Sequence, residues 1–120
     1  MGAEKKKKNK EKKNIVLIGD ERVDLDSLKF KTKFKVSVKS SEMPVEMIEK
    51  AVTLADEIMQ KTTDDGEIAE YIKQGFNALY SPPWHCIVGR KYSSLITHDS
   101  GYFVYFFISK LACVIFKARD

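Results

Sequence analysis

Only two cysteines, Cys86 and Cys113, occur in the 120 residues. That is too few for a disulfide-stapled secreted scaffold, so both are read as small core residues kept as thiols in a reducing cytosol. No apolar run approaches the roughly 20 residues a membrane-crossing helix requires, and a soluble chain is expected. The N-terminus has neither the apolar core of a signal peptide nor the Arg/Ser bias of a transit peptide, which makes the cytoplasm or nucleus the expected location. Glycine-rich phosphate loops of the G-x-x-x-x-G-K-[ST] or G-x-G-x-x-G type are missing, so nucleotide binding has no support. Cys-x-x-Cys and His-x-x-x-His spacings are missing too, so His85, Cys86, His98 and Cys113 do not read as a zinc site, and no cofactor is expected. The length allows one domain plus an extension, with no room for a separate catalytic domain.

What is present begins with charge. The net charge is +4, but its distribution matters more than its size. Residues 1–14 hold seven lysines against Glu4 and Glu11, leaving +5 on the tail and −1 on everything after it. A solvated, disordered tail on a nearly neutral body is the expected arrangement. Contact of that tail with tubulin, nucleic acid or another anionic surface is the sharper alternative. The short apolar run at 15–18 is closed by Gly19 and followed by acidic residues. It could add a strand to a sheet edge but could not build a core, so 1–32 is read as a basic, largely disordered N-terminal extension.

From residue 33 the chain patterns as a folded domain that continues to residue 120. Phe34, Val36 and Val38 alternate with Lys33, Lys35, Ser37 and Lys39, which predicts a half-buried strand over 33–39. Pro44 suits a first helical turn, and Met47, Ile48, Ala51, Leu54, Ala55 and Ile58 share a helical stripe, predicting a helix over 44–61. Asp64 with Glu67 three residues on resembles a capping box. Behind it, Ile68, Ala69, Ile72, Phe76 and Leu79 form a second stripe that must stop before Pro82. After Pro83 come four β-branched and aromatic segments, at 84–89, 93–99, 102–109 and 110–117. The predicted fold is α+β, in the order β-α-α-β-β-β-β, with an antiparallel sheet carrying two helices on one face.

Both faces of that sheet are apolar. In one strand Tyr102, Val104, Phe106 and Ile108 point one way and Phe103, Tyr105 and Phe107 the other. In the next, Ala112, Val114 and Phe116 oppose Leu111, Cys113 and Ile115. Two helices cover one face only, and an aromatic face left in water exceeds the apolar patch that monomers usually tolerate. A second copy docked through that face is the simplest cover, so a dimer is expected.

Trp84-His85-Cys86 invites a thiol-enzyme reading, since nucleophilic cysteines pair with histidine. Adjacent strand residues point to opposite faces, so His85 cannot serve Cys86. No enzyme and no small-molecule substrate are expected.

The run Tyr80-Ser81-Pro82-Pro83-Trp84-His85-Cys86-Ile87-Val88-Gly89-Arg90 resembles the signature of the smallest dynein light chains, the "LC-eight" family, in which Tyr-x-Pro-x-Trp-His-Cys-Ile-Val-Gly opens the sheet. The likeness continues through Thr97-His98, Phe103 to Phe106 and Ala112 to Lys117, and upstream from Met43, so it covers about 33–117. The resemblance implies a non-catalytic, strand-swapped dimer in which 93–99 crosses to the partner's sheet. Two peptide grooves follow from it. Tyr92, Ser93, Ser94, Leu95, Ile96, Thr97 and His98 would form the hydrogen-bonding edge, Asp65, Gly66 and Glu67 the helical wall, and Phe103, Tyr105 and Phe107 the floor. His85, Ser94 and Thr97 would lie at the dimer seam.

Implied partners are dynein intermediate chains and other short linear peptides taken up by strand addition, with a second copy or a paralogous light chain completing the dimer. A general adaptor without dynein is the near alternative; membranes are not implied, and nucleic acid is disfavoured. The implied location is cytoplasmic and cytoskeletal, with a ciliary or flagellar axoneme as the specialised case. Three departures stand out. Ser93-Ser94-Leu95 replaces a common Gly-Ser-Tyr, Gly66 replaces a common lysine, and Ala118 stands where some members carry a phosphorylated serine.

Overall fold

The computed structural model describes residues 14–90 and 101–118. Six strands and two helices occur in it: β1 (Ile15–Ile18), β2 (Glu21–Asp24), β3 (Val36–Ser41), α1 (Val45–Met59), α2 (Asp65–Leu79), β4 (Trp84–Gly89), β5 (Phe103–Ile108) and β6 (Leu111–Lys117). A single 3-10 turn, Leu25–Ser27, follows β2. The main sheet is antiparallel in the order β3-β5-β6-β4, and among the described residues β1 pairs only with β2. The predicted strand at 93–99 lies outside the described residues.

The expectation of a largely disordered 1–32 is corrected for 14–32. β1 and β2 form a hairpin that turns on Gly19 at φ 65°, a left-handed conformation glycine adopts without steric cost. Val16, Ile18, Val23, Leu28 and Phe30 pack against the core, and Leu25 is inside it. Two of the four apolar residues of β1, Val16 and Ile18, cover the core of the rest of the molecule, while Ile15 and Leu17 face out.

β3 starts three residues later than the alternation suggests. The N–H groups of Lys33 and Phe34 both donate to Oδ1 of Asp56, at 3.0 Å each, so this stretch is pinned to α1 instead of entering the ladder. Phe34, Val36 and Val38 nevertheless face the core as expected. A register shift between Val38 and Ser40 skips the exposed Lys39 in the pairing with β5, and the strand runs on to Ser41.

α1 begins after Pro44, whose extended backbone (φ −59°, ψ 153°) and carbonyl accept the first helical N–H bonds. Its buried face is Met47, Ile48, Ala51, Val52 and Ala55; Leu54 and Ile58 sit on the margin. Leu54 instead fills the contact between helices. A Cβ on Gly75 would come within 2.8 Å of Leu54 Cδ1, so this glycine lets α2 approach α1 closely. α2 opens as its capping residue predicts, with Asp64 Oδ2 accepting the Glu67 N–H at 2.9 Å. Ile68, Ile72 and Phe76 are buried, whereas Leu79, assigned to the same stripe, is half in water. The helix ends there, and the chain folds Tyr80 and Trp84 onto Phe76 instead, with ring centroids at 5.1 and 4.9 Å.

Both helices lie on one face of the main sheet. Their buried residues share a single core with Val38, Trp84, Val104, Phe106, Ile108, Leu111, Cys113 and Ile115. β5 and β6 are joined by the two-residue turn Ser109–Lys110, in which Ser109 takes a positive φ of 57°.

Candidate functional site

The face of the sheet turned away from the helices is built of three rows read across the register. Phe103, Phe116 and His85 form the first, Tyr105, Val114 and Ile87 the second, Phe107, Ala112 and Gly89 the third. None of these residues belongs to the core under the helices. The inner members Val114 and Ala112 are buried by their taller neighbours, while the four aromatic residues are half-buried and Ile87 is 41% exposed. The expectation of a sheet apolar on both sides is therefore met within the described residues.

Ring contacts organise this surface. His85 stacks on Phe116 at 5.2 Å with 28° between planes, and its Nε2 lies 3.3 Å from the Ala118 carbonyl. Tyr105 and Phe107 are 5.7 Å apart, and the Lys39 ammonium lies 5.8 Å above Phe107. Alternation puts Lys39 on this outer face, but its contact with Phe107 joins two strands far apart in the chain and is not legible from either one alone.

Asp65, Gly66 and Glu67 form the first turn of α2, on the other side of the sheet. Asp65 is half-buried and lines a depression of about 200 Å³ with Phe34, Met59, Ile68, Arg90 and Lys110; Gly66 and Glu67 are exposed. One protomer thus does not bring the expected wall residues together with the expected floor of Phe103, Tyr105 and Phe107. The sheet stands between them. Tyr92, Ser93, Ser94, Leu95, Ile96, Thr97 and His98 lie outside the described residues. Arg90, which sequence reasoning left unused, joins Asp65 because β4 runs under α2 and ends beside its first turn.

The two thiols occupy the helix side. His85 faces the opposite way from Cys86, as strand alternation requires. Burial, and secondarily the neighbouring Cys113, pushes the Cys86 thiol well above its ordinary range; burial and the nearby Asp65 charge push Cys113 up to about 12. These are protonated core thiols, the opposite of an activated nucleophile.

A pH dependence follows. The folded state holds the Cys113 proton more tightly than the unfolded chain, so its contribution is complete below the ordinary thiol value of 9.0 and is lost as pH rises from there toward about 12. Urea unfolding between about pH 8 and pH 11 should show stability falling by up to roughly 1.4 kcal/mol per pH unit for each such thiol. Cys113→Ala should flatten that slope; an unchanged slope would count against it.

Among the described residues no helix is long and apolar enough to cross a membrane, and no group of three or more potential metal ligands occurs.

The sequence profile of the family "dynein light chain type 1" matches residues 35–118. The chain belongs to this family. Dynein light chains as a family are generally non-catalytic, and membership supports an adaptor role for the chain. Among solved structures, the dynein light chain-like domain of the Fasciola hepatica calcium binding protein FhCaBP2 is similar in fold, with a TM-score of 0.65. The match covers 78% of this chain and 100% of that domain at 10% sequence identity. This light chain therefore shares an α+β architecture with a domain of very different sequence, and the β1–β2 hairpin precedes the part the family profile matches.

Proposed function

We propose that this dynein light chain is a non-catalytic adaptor that works as a dimer and holds short linear peptides, those of dynein intermediate chains among them, by strand addition. The observation that carries the reading is the three-row apolar face opposite the helices. Packed against a second copy, it would close a sheet-on-sheet core about 10 Å thick.

Dimerisation also supplies what one protomer lacks. The helical wall at Asp65 and Glu67 and the aromatic floor at Phe103, Tyr105 and Phe107 lie on opposite sides of one sheet. A groove that uses both draws its wall from one copy and its floor from the other, with 92–98 as the edge to which the peptide adds. His85, Ser94 and Thr97 then lie along the seam. Backbone hydrogen bonds provide affinity whatever the side chains, and two grooves on one dimer add avidity toward paired partner chains. Work of this kind belongs on the cytoskeleton, at cytoplasmic or axonemal dynein, with either a second copy or a paralogous light chain as the other half.

The test combines sedimentation of the full chain with calorimetric titration of an intermediate-chain peptide. A dimer binding one peptide per protomer is expected. Binding should be lost when a charge is introduced by Leu95→Lys and retained when residues 1–14 are deleted. A monomer at micromolar concentration, or binding that disappears with the lysine tail, would overturn the proposal, the latter in favour of an anionic-surface binder.

A further inference from the structure

An outer strand presents backbone N–H and C=O groups on which any other strand can build, and proteins that must not polymerise block such edges. Among the described residues the main sheet has two outer strands, β3 and β4. They are not treated alike. Along β3, the side-chain amide of Asn14 donates to the carbonyls of both Val38 and Lys39, at 3.0 and 3.1 Å. Asn14 is held in place in turn, since its own carbonyl accepts the Leu25 N–H at 2.9 Å. Leu25 is only 2% exposed and sits inside the helix-side core. At the same point the ladder register of β3 shifts between Val38 and Ser40.

We propose that residues 14–28 are a built-in guard for the β3 edge, which bars a second chain from pairing there and leaves β4 as the side at which the sheet can be extended. Three physical effects act together. Asn14 occupies carbonyl lone pairs that an incoming strand would need for its N–H groups. The bulge breaks the regular spacing on which a continuous ladder depends. Leu25 anchors the whole segment through apolar burial, so that displacing the guard exposes core. Neither Asn14 nor Leu25 is within the region matched to the family, so the guarding segment belongs to the chain's own extension, while the bulge it sits on is in the matched domain.

The consequence concerns assembly. A molecule with two open edges and one sticky face can form fibres as readily as closed pairs, because head-to-tail contacts that do not close propagate. With β3 guarded, association is confined to contacts that close.

The proposal does not depend on what β4 or the aromatic face binds, because the reference is the mass of the parent chain, monomer or dimer. Sedimentation velocity of the full-length chain and of Asn14→Ala would be compared over a hundredfold range of concentration, at about micromolar and above, with circular dichroism as the check on folding. Asn14 is half-buried and its side chain is not part of the apolar core, and the substitution keeps the backbone carbonyl that holds Leu25, so the variant should fold. Its weight-average mass is expected to rise by on the order of twofold or more with concentration as β3 edges pair, while the parent's stays flat. Leu25→Ala, which loosens the anchor, should behave in the same direction. A folded Asn14→Ala that sediments like the parent at every concentration would overturn the guard, as would a Leu25→Ala that loses stability without gaining mass.

Discussion

Phe107→Lys should leave each protomer folded yet remove its association and peptide capture, whereas Phe106→Ala, one residue away, should come close to unfolding it. The two side chains leave opposite faces of β5. Phe106 is fully buried among helix-side residues, and truncating a buried phenylalanine costs roughly 3–5 kcal/mol. That is a large part of the total stability of a small domain, about 5–15 kcal/mol. Phe107 sits in the third row of the opposite face, beside the Lys39 ammonium. A lysine there places a second cation next to the first, and covering that face would bury both without a partner. Denaturant melts should separate the pair of variants by several kcal/mol, while sedimentation and peptide titration should invert the order of damage. If Phe107→Lys still associates and binds like the parent, the aromatic face is not the working surface.

Asp56→Ala is expected to cost roughly 2–4 kcal/mol, more than an isolated polar truncation usually does, because one carboxylate ends three donors. The N–H groups of Lys33 and Phe34 both reach Oδ1, and the Gln60 side-chain amide reaches Oδ2 at 3.0 Å. Asp56 itself is buried. Removing it strands two backbone donors and frees the stretch that feeds β3 from the flank of α1. Asp56→Asn should recover part of the loss, since its carbonyl can accept one set of bonds but its amide group cannot accept the other. Urea unfolding of the two variants checks both magnitude and order, and equal stability of Asp56→Ala and the parent would contradict the assignment.

These two variants also divide what could be read from sequence from what could not. Periodicity put Phe34, Val36 and Val38 on the dry face of one strand, grouped Val104, Phe106 and Ile108 on one face of another, and marked the two-sided strands β5 and β6 as the unusual feature of the chain. Asp64 declared the start of α2 through its capping pattern, and that bond is present. These are local signals, carried by residues within a turn or a strand of one another. Asp56, by contrast, reads in the sequence as one more charge on a helix, because its two backbone partners lie 22 and 23 residues away.

The same distance explains the other misreadings. Leu79 follows the helical stripe in sequence, but the cluster of Phe76, Tyr80 and Trp84 takes its place where the helix stops. The segment at 15–18 looks too short to fold, and alone it is; it becomes a strand because the rest of the molecule offers it an apolar surface. Lys39 lies over Phe107 only because β3 pairs with β5, a strand far away in the sequence.

By itself, then, the sequence determined the α+β order, the apolar faces of most elements, the two-faced sheet and, through the Tyr80–Arg90 run, the family. Tertiary structure alone decided that the wall at Asp65 and the floor at Phe107 fall on opposite sides of one sheet, that Asp56 ties the strand entry to α1, and that Asn14 reaches the β3 edge. The physical reason is range. Alternation, helical stripes and caps are properties of neighbouring residues, whereas a buried carboxylate or a guarded edge exists only once segments far apart in the chain have been packed together.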